Sequence, residues 1–316
     1  MSQFIREGFS EQWVQDRLTL LDIAILSGGE GLAYLIDETT RHCPEFQIFP
    51  AKTLKGTSYK QLVRIELPKV GFRHANEGAV RGKGKHENRR YECHIFDPRW
   101  EADKAVADAH EDGREVVIAD AAEGVMLASF QHMGGVFYYG TIHDPKSCAG
   151  LLEIFDTKME VDATGTTDAQ KSSVWGIHAS RDQVQWLLGA GGKFGMSAVR
   201  EQDVLDAGGS AYVAYVQGLL AHLGIGIRDL RSVGRIKNLT SQTDKKLTED
   251  HFKELWAKFQ NGAKPTVWLL NSTQHMHYWN SLKTEHDPNP PMPTSALNIP
   301  FVITDSIVDG HDGEKQ

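Results

Sequence analysis

Three groupings in this 316-residue chain carry side chains of a type that could do chemistry. The first is Gly189-Ala-Gly-Gly-Lys-Phe-Gly-Met-Ser197, a lysine set among glycines as in a phosphate-binding loop. Such a loop needs a hydroxyl directly after the lysine to hold magnesium. Phe194 occupies that position, so the segment reads as a tight loop between strands whose glycines supply positive φ. The second grouping is His275, His277 and His286. Residues two apart on a helix point to different sides, whereas helix-borne metal ligands need a spacing of four, so no metal is expected. The third is Cys43, Cys93 and Cys148, odd in number and without a CxxC pair, which read as buried, reduced thiols. No Gly-x-Ser-x-Gly, His-Glu-x-x-His or Cys/His nucleophile signature is present, and no spacing selects a catalytic carboxylate pair. No cofactor is expected.

Charge is the more informative chemistry. The chain carries a net −8, a poor balance for gripping nucleic acid through its average surface, because phosphate binding works through Lys and Arg releasing counterions. The distribution is uneven. Residues 51–91 hold eleven Lys and Arg against three acids, a local +8, and residues 92–125 hold three against ten, a local −7. The basic tip Arg81-Gly-Lys-Gly-Lys85 with Arg89 and Arg90 has few aromatics for base stacking. It therefore reads as a contact between subunits. Lys69, Arg73, Arg81, Lys83, Lys85, Arg89 and Arg90 are the candidate basic side of that contact. Glu101, Asp103, Asp108, Glu111, Asp112 and Glu115 are the candidate acidic side, borne on a long helix. Both sets pairing locally within one chain is the competing account.

The elements that would position these groups follow from periodicity. Val63, Ile65 and Leu67 alternate with charged residues, as do Tyr91, Cys93 and Ile95, which is strand period. The glycine-rich stretch between them has scarcely any large apolar residue after Phe72, so residues 51–91 predict a two-stranded ribbon with a polar tip. It is too thin to hold a core and must lie on something else. Residues 100–110 and 114–132 predict helices, with Val117, Ala121 and Val125 in one row and Ile118, Ala122, Met126 and Phe130 in the next. Gly113 marks a break and Gly124 a close contact. Residues 136–141 read as a short aromatic strand or turn.

Upstream, residues 11–26 predict an amphipathic helix through Val14, Leu18, Leu21 and Ile25, and residues 31–41 a second helix, before an extended passage over 44–50. Downstream lies a mixed block with strands at 173–179, 184–188, 212–216, 223–227 and 265–270. Helices are expected from Thr248 to residue 260 and from Ser272 to residue 282. Residues 287–293 form a rigid Pro-rich linker, and a final strand over 297–307 returns to an earlier unit. Met1 to Phe9 carry Arg6 and Glu7 with no apolar run, so no signal peptide is expected, and residues 18–26 are far too short for a membrane span.

The order of these elements resembles the Hong Kong 97 (HK97) capsid fold, near the major capsid proteins of short-tailed phages of the epsilon-fifteen and Bordetella type. The resemblance is carried by Leu18-Thr-Leu-Leu-Asp-Ile-Ala24, Val70-Gly-Phe-Arg-His-Ala-Asn-Glu-Gly78, Glu101-Ala-Asp-Lys-Ala-Val-Ala-Asp108 and Val136-Phe-Tyr-Tyr-Gly-Thr141. It continues through Ser173-Val-Trp-Gly-Ile177, Gly192-Lys-Phe-Gly195, Val204-Leu-Asp-Ala-Gly-Gly209, Gly226-Ile-Arg-Asp229, Val233-Gly-Arg-Ile-Lys-Asn238 and Ile299-Pro-Phe-Val-Ile-Thr-Asp305. The resemblance implies an α+β fold with an N-terminal arm (1–47), an extended loop (48–97) and a peripheral domain with a long spine helix (98–145). An axial domain (146–286) and a return strand of the peripheral domain with a tail (287–316) complete it.

It also implies a non-enzymatic shell protein that forms hexamers and pentamers tiled into an icosahedral capsid, assembled in the host cytoplasm. Such a capsid encloses double-stranded DNA without sequence-specific binding, and a net negative subunit suits a wall past which DNA must move. A separate scaffold, a portal and cement proteins are the further partners implied, and no membrane. The alternatives are an encapsulin-like compartment shell and a cytosolic α/β enzyme.

Overall fold

A computed structural model of the chain describes residues 43–79, 81–166, 171–180, 183–242, 244–260, 262–283 and 289–310, apart from the side chains of Arg64 and Ile65. The helices expected over 11–26 and 31–41, and His286, lie outside the described residues. The passage after Pro44 is not extended but forms a helical turn, α1 (Glu45–Ile48). Proline tolerates the position before a first turn because its missing N–H would be unpaired there anyway. The turn lets Phe46 stack on Trp186 at 4.9 Å, and Phe49 follows it onto Phe137 at 5.0 Å.

Five strands follow: β1 (Ala51–Thr53), β2 (Ser58–Glu66), β3 (Lys85–Glu92), β4 (His94–Phe96) and β5 (Arg99–Asp103). Helices α2 (Lys104–Asp108) and α3 (Arg114–Tyr139) come next. Two expectations are corrected here. Residues 100–103 are strand, because buried Trp100 and half-buried Ala102 alternate with exposed Glu101 and Asp103. The helix begins only where the Asp103 carboxylate accepts from the Ala105 N–H at 2.8 Å. Helix α3 runs on to Tyr139 and takes in most of the aromatic run expected as a strand or turn. Those aromatics are strand formers by propensity, but all are buried in the main core, and packing overrides propensity. Gly134 and Gly135 cost about 1 kcal/mol each in a helix interior. They are needed for close approach, since a Cβ on Gly134 would lie 2.2 Å from Ser306 Oγ and one on Gly135 would lie 2.8 Å from the His143 ring. Gly124, expected at a close contact, faces open space.

After a single helical turn at Leu151–Ile154 come β6 (Glu160–Asp162), β7 (Ser172–Ile177), β8 (Val184–Leu188), β9 (Phe194–Met196), β10 (Arg200–Leu205), β11 (Ala211–Ile227) and β12 (Val233–Leu239). The chain ends with α4 (Glu249–Lys258), β13 (Val267–Leu270), α5 (Ser272–Ser281), β14 (Ser295–Ala296) and β15 (Ile299–Ile303). One sheet is organised on β11, in the order β1-β8-β11-β10, with β4, β5 and β9 also paired along β11. The two strands expected at 212–216 and 223–227 are thus one of 17 residues. Its glycines do not break it. A Cβ on Gly224 would lie 2.9 Å from the Glu92 carbonyl, so glycine there is what admits the neighbouring chain.

The second sheet runs β14-β15-β13-β7-β12-β6. A second core of Phe252, Trp268 and Tyr278 lies on it, with Phe252 meeting Trp268 edge-on at 4.9 Å. The last strand, β15, pairs in parallel with β13, inside the segment expected to be axial. It is the chain just beyond β15 that reaches back, where the Thr304 hydroxyl donates to Glu45. The first half of α3 lies on β5 and β11 through Val117, Ile118, Ala121, Trp100 and Tyr215. Its second half is buried in the main core with Trp175 and Trp186.

Candidate functional site

Strands β2 and β3 form a two-stranded sheet that pairs with no other described strand, in a register running from Ser58 opposite Glu92 to Arg64 opposite His86. Its root is fixed. The Tyr91 hydroxyl donates to the Ile227 carbonyl at 2.5 Å, and Tyr91, Cys93, Leu54 and Leu187 form a small buried cluster. Beyond the root the ribbon stands off the molecule. Leu67 is 70 % exposed, Val70 88 % and Phe72 106 %, the last figure being that of a side chain with nothing against it. Gly82 keeps the two arms together near the tip, since a Cβ there would lie 2.3 Å from the Lys69 backbone nitrogen.

The seven basic candidates divide in two. On β3, Lys85 pairs with Glu66 at 2.8 Å, Arg90 with Glu92 at 3.1 Å and Arg89 with Glu87 at 3.6 Å, so these charges are met within the ribbon. Lys69, Arg73, Arg81 and Lys83 lie on the loop between β2 and β3 and have no ion pair among the described residues. Arg73 donates only to the Glu77 carbonyl, at 2.9 Å. The outer half of the ribbon therefore presents unneutralised positive charge beside exposed apolar side chains.

The six acidic candidates are not one surface, which corrects the expectation that a long helix bears them. Only Glu115 lies on α3. Glu101 and Asp103 are on β5, on the face opposite Trp100 and Ala102, which pack under α3. The Tyr212 hydroxyl points to Glu101 on that far face at 3.4 Å. Asp108 ends α2 and accepts from the Tyr215 hydroxyl at 2.9 Å, and Glu111 and Asp112 lie in the turn before α3. Negative charge there and at Glu115 suits the positive end of the helix dipole. Two acids not singled out from the sequence are better placed. Asp120 and Glu123 are exposed on α3, turned away from the row Val117, Ala121 and Val125, with no ion pair among the described residues. Reading that row as the buried face would have turned both outward.

The groupings considered for catalysis have structural occupations. In the glycine loop, Ala190, Gly191 and Gly192 all have positive φ, and the N–H groups of Ala190 and Gly191 bond to the Gly56 and Leu54 carbonyls. His275 turns its Nε2 to the Pro293 carbonyl at 2.7 Å, while His277 lies near Gln274 at 3.4 Å. All three cysteines are buried and free. Burial pushes the Cys43 and Cys148 thiols up to about 12 and Cys93 up to about 11, far from the thiolate a nucleophile needs. Ser129, His132 and Asp144 share a cleft of about 580 Å³. His132 meets Asp144 at 3.1 Å, but the Ser129 hydroxyl is spent on the Val125 carbonyl at 2.6 Å and makes no triad. No described helix is long and apolar enough to cross a membrane.

Residues 48–283 match the family described as major capsid protein GP7. Among solved structures, a chain from a near-atomic structure of bacteriophage Epsilon15 is similar with a TM-score of 0.61 and 18 % identity, over 82 % of this chain and 86 % of that one. A chain of the bacteriophage JBD30 capsid is similar with a TM-score of 0.51 and 9 % identity, over 85 % of this chain and 92 % of that one. No curated protein matches the chain. The HK97-type fold implied by the sequence resemblance is the fold observed, and neither the compartment shell nor the enzyme is favoured. A chain whose most exposed apolar side chains stand on an arm without support is built to be completed by further copies of itself, and this one belongs to the GP7 major capsid protein family, structural shell proteins of phage particles.

Proposed function

We propose that the ribbon of one subunit lies along the exposed face of α3 of the next, and that this contact, repeated, closes hexamers and pentamers into an icosahedral shell around phage double-stranded DNA. The observation that carries this reading is the outer half of the ribbon, where Leu67, Val70 and Phe72 stand exposed beside the unpaired cations Lys69, Arg73, Arg81 and Lys83. Facing them on the neighbour would be Glu115, Asp120 and Glu123, with Val116 exposed beside them and bare Gly124 allowing close approach. Apolar contact supplies attraction while the opposed charges set orientation and register. In this arrangement the arm (1–47), extended loop (48–97), peripheral segment (98–145) and axial segment (146–286), to whose sheet β15 adds, are the working parts. Assembly takes place in the host cytoplasm with a separate scaffold, a portal and cement proteins. DNA is enclosed without sequence reading.

The test is charge reversal of Lys69, Arg73, Arg81 and Lys83 to Glu in the full chain. Exposed ion pairs contribute at most about 1 kcal/mol each, and these four make no ion pair among the described residues. The variant should keep the wild-type melting temperature and lose particles in negative-stain micrographs. Wild-type particle yield from a folded variant refutes the contact. Combining it with reversal of Asp120 and Glu123 to Lys should restore part of the yield if the two surfaces meet.

A further inference from the structure

Glu45, at the start of α1, is fully buried. Its Oε1 accepts from the Tyr138 hydroxyl at 2.8 Å and from the Thr304 hydroxyl, and its Oε2 is buried without a hydrogen-bond partner. One carboxyl group thus joins three parts of the chain: the segment that leads into the ribbon, the last turn of α3, and the residues just after β15. The titratable and polar groups that bear on this junction are the Cys43 thiol from its own segment, Tyr138 and Tyr139 from α3, and Asp305 and Ser306 from the chain beyond β15. The described groups acting on Glu45 include no cation. A carboxylate at this site would be met only by neutral donors, the hydroxyls of Thr304, Tyr138 and Ser306 and its own backbone N–H, with no cation among the described groups, which is a costly way to bury a charge. The neutral acid is the form that fits.

We propose that Glu45 is a proton-dependent latch, which in its protonated state clasps the root of the ribbon to the end of α3 and to the chain after β15, and which opens when it ionises. Burial raises its carboxyl above the ordinary carboxylate range, and the Thr304 hydroxyl, its own backbone N–H and the hydroxyls of Tyr138 and Ser306 pull back against that. A group raised in the folded state stabilises fully below its unfolded pKa, and that contribution is lost as pH rises through the folded value. The latch therefore opens toward alkaline pH. The parts it would free are continuous with the ribbon. Pro50 accepts from the Trp186 N–H at 2.9 Å, Ala51 to Thr53 pair with β8, and β2 begins at Ser58. The device belongs to a single subunit, and it stands or falls apart from the ribbon-to-helix contact proposed above.

Amide hydrogen exchange of the full-length chain, across about pH 5 to 9 and corrected for intrinsic exchange, tests it. Protection over 46–53 and 302–308 should fall by up to about tenfold per pH unit above the ordinary carboxylate range and level off once Glu45 has ionised in the closed form, while α4 stays unchanged. Glu45→Gln should abolish the pH dependence in those two segments. Tyr138→Phe and Thr304→Val each remove a donor that favours the ionised form, so each should move the levelling-off to higher pH, and they carry the test if the Gln variant does not fold. The same slope in wild type and Glu45→Gln, or a levelling-off moved to lower pH by Tyr138→Phe, overturns the latch.

Discussion

Truncating Phe72 to alanine separates folding from assembly in one substitution. The ring is fully exposed in the isolated subunit, so its removal leaves no cavity and breaks no contact. Surface changes of that kind stay within about 0.5 kcal/mol. If the ribbon tip is covered by a neighbour, the same ring passes from water to an apolar contact, worth about 1.5–3 kcal/mol on full burial. Each subunit offers one tip, so the contact weakens once per subunit, and its association constant should fall by about 10- to 150-fold. Melting followed by circular dichroism reads the first quantity. Light scattering against protein concentration reads the second, as a rise in the concentration at which particles begin to form. The reasoning is refuted if assembly begins at the wild-type concentration. It is refuted equally if the subunit melts more than about 2 °C lower, because Phe72 would then have a partner within its own chain.

The remaining predictions concern how the subunit itself is held. Gly134→Ala places a Cβ 2.2 Å from Ser306 Oγ and should cost about 1–3 kcal/mol as overpacking, seen as a lower melting temperature. Gly124→Ala meets nothing within 4 Å and should stabilise the subunit by up to about 1 kcal/mol, the helix propensity difference; equal effects at the two glycines would contradict the packing described for α3. Tyr91→Phe removes the bond to the Ile227 carbonyl, and urea titration should show a loss of about 0.5–1.5 kcal/mol, with faster proteolysis at the ribbon's root.

What was legible in the sequence was what local periodicity controls. The alternation of Val63 and Ile65 in β2 reads directly, as does the scarcity of large apolar residues after Phe72, but of the second row only Tyr91 lies in β3, and Ile95 belongs to β4, which pairs with β11. The loop at 189–197 was legible because glycines with positive φ are needed there. The segments that misled are those where a distant partner decides. Residues 100–103 look helical because alanine and acids surround them, yet pairing with β11 makes them strand. The run at 136–139 looks like strand because its residues are aromatic, yet α3 carries it into the main core. Residues 212–227 look like two strands because Gly218 separates the apolar stretches, yet β5 and β4 line up along one continuous partner. The acidic candidates show the same limit. Their charge was countable, but their division between the outer face of β5, the end of α2 and the start of α3 depends on a strand pairing that no charge count contains.

The contrast between root and tip explains why such an arm can be both ordered and available. At the root the chain is tightly packed: Gly189 admits Cys93, Gly224 admits Glu92, and Tyr91 is bonded across to β11. Within a ladder that rigid, the two strands hold their register without a core, because the first pairs are fixed by the body and each later pair adds to an existing sheet. At the tip Leu67, Val70 and Phe72 are left exposed by the subunit, so these side chains are free to be chosen for a neighbour alone. A shell closes correctly only if wrong contacts can come apart before the next subunit arrives. Contacts of the kind proposed, one exposed ring and a few screened ion pairs worth about 1 kcal/mol or less each for the charges, would be individually reversible and durable only when each subunit is held by several neighbours at once. A tip with a strong anchor of its own would trap misplaced subunits, whereas a bare tip on a stiff root keeps the ribbon presented and leaves the decision to the completed ring.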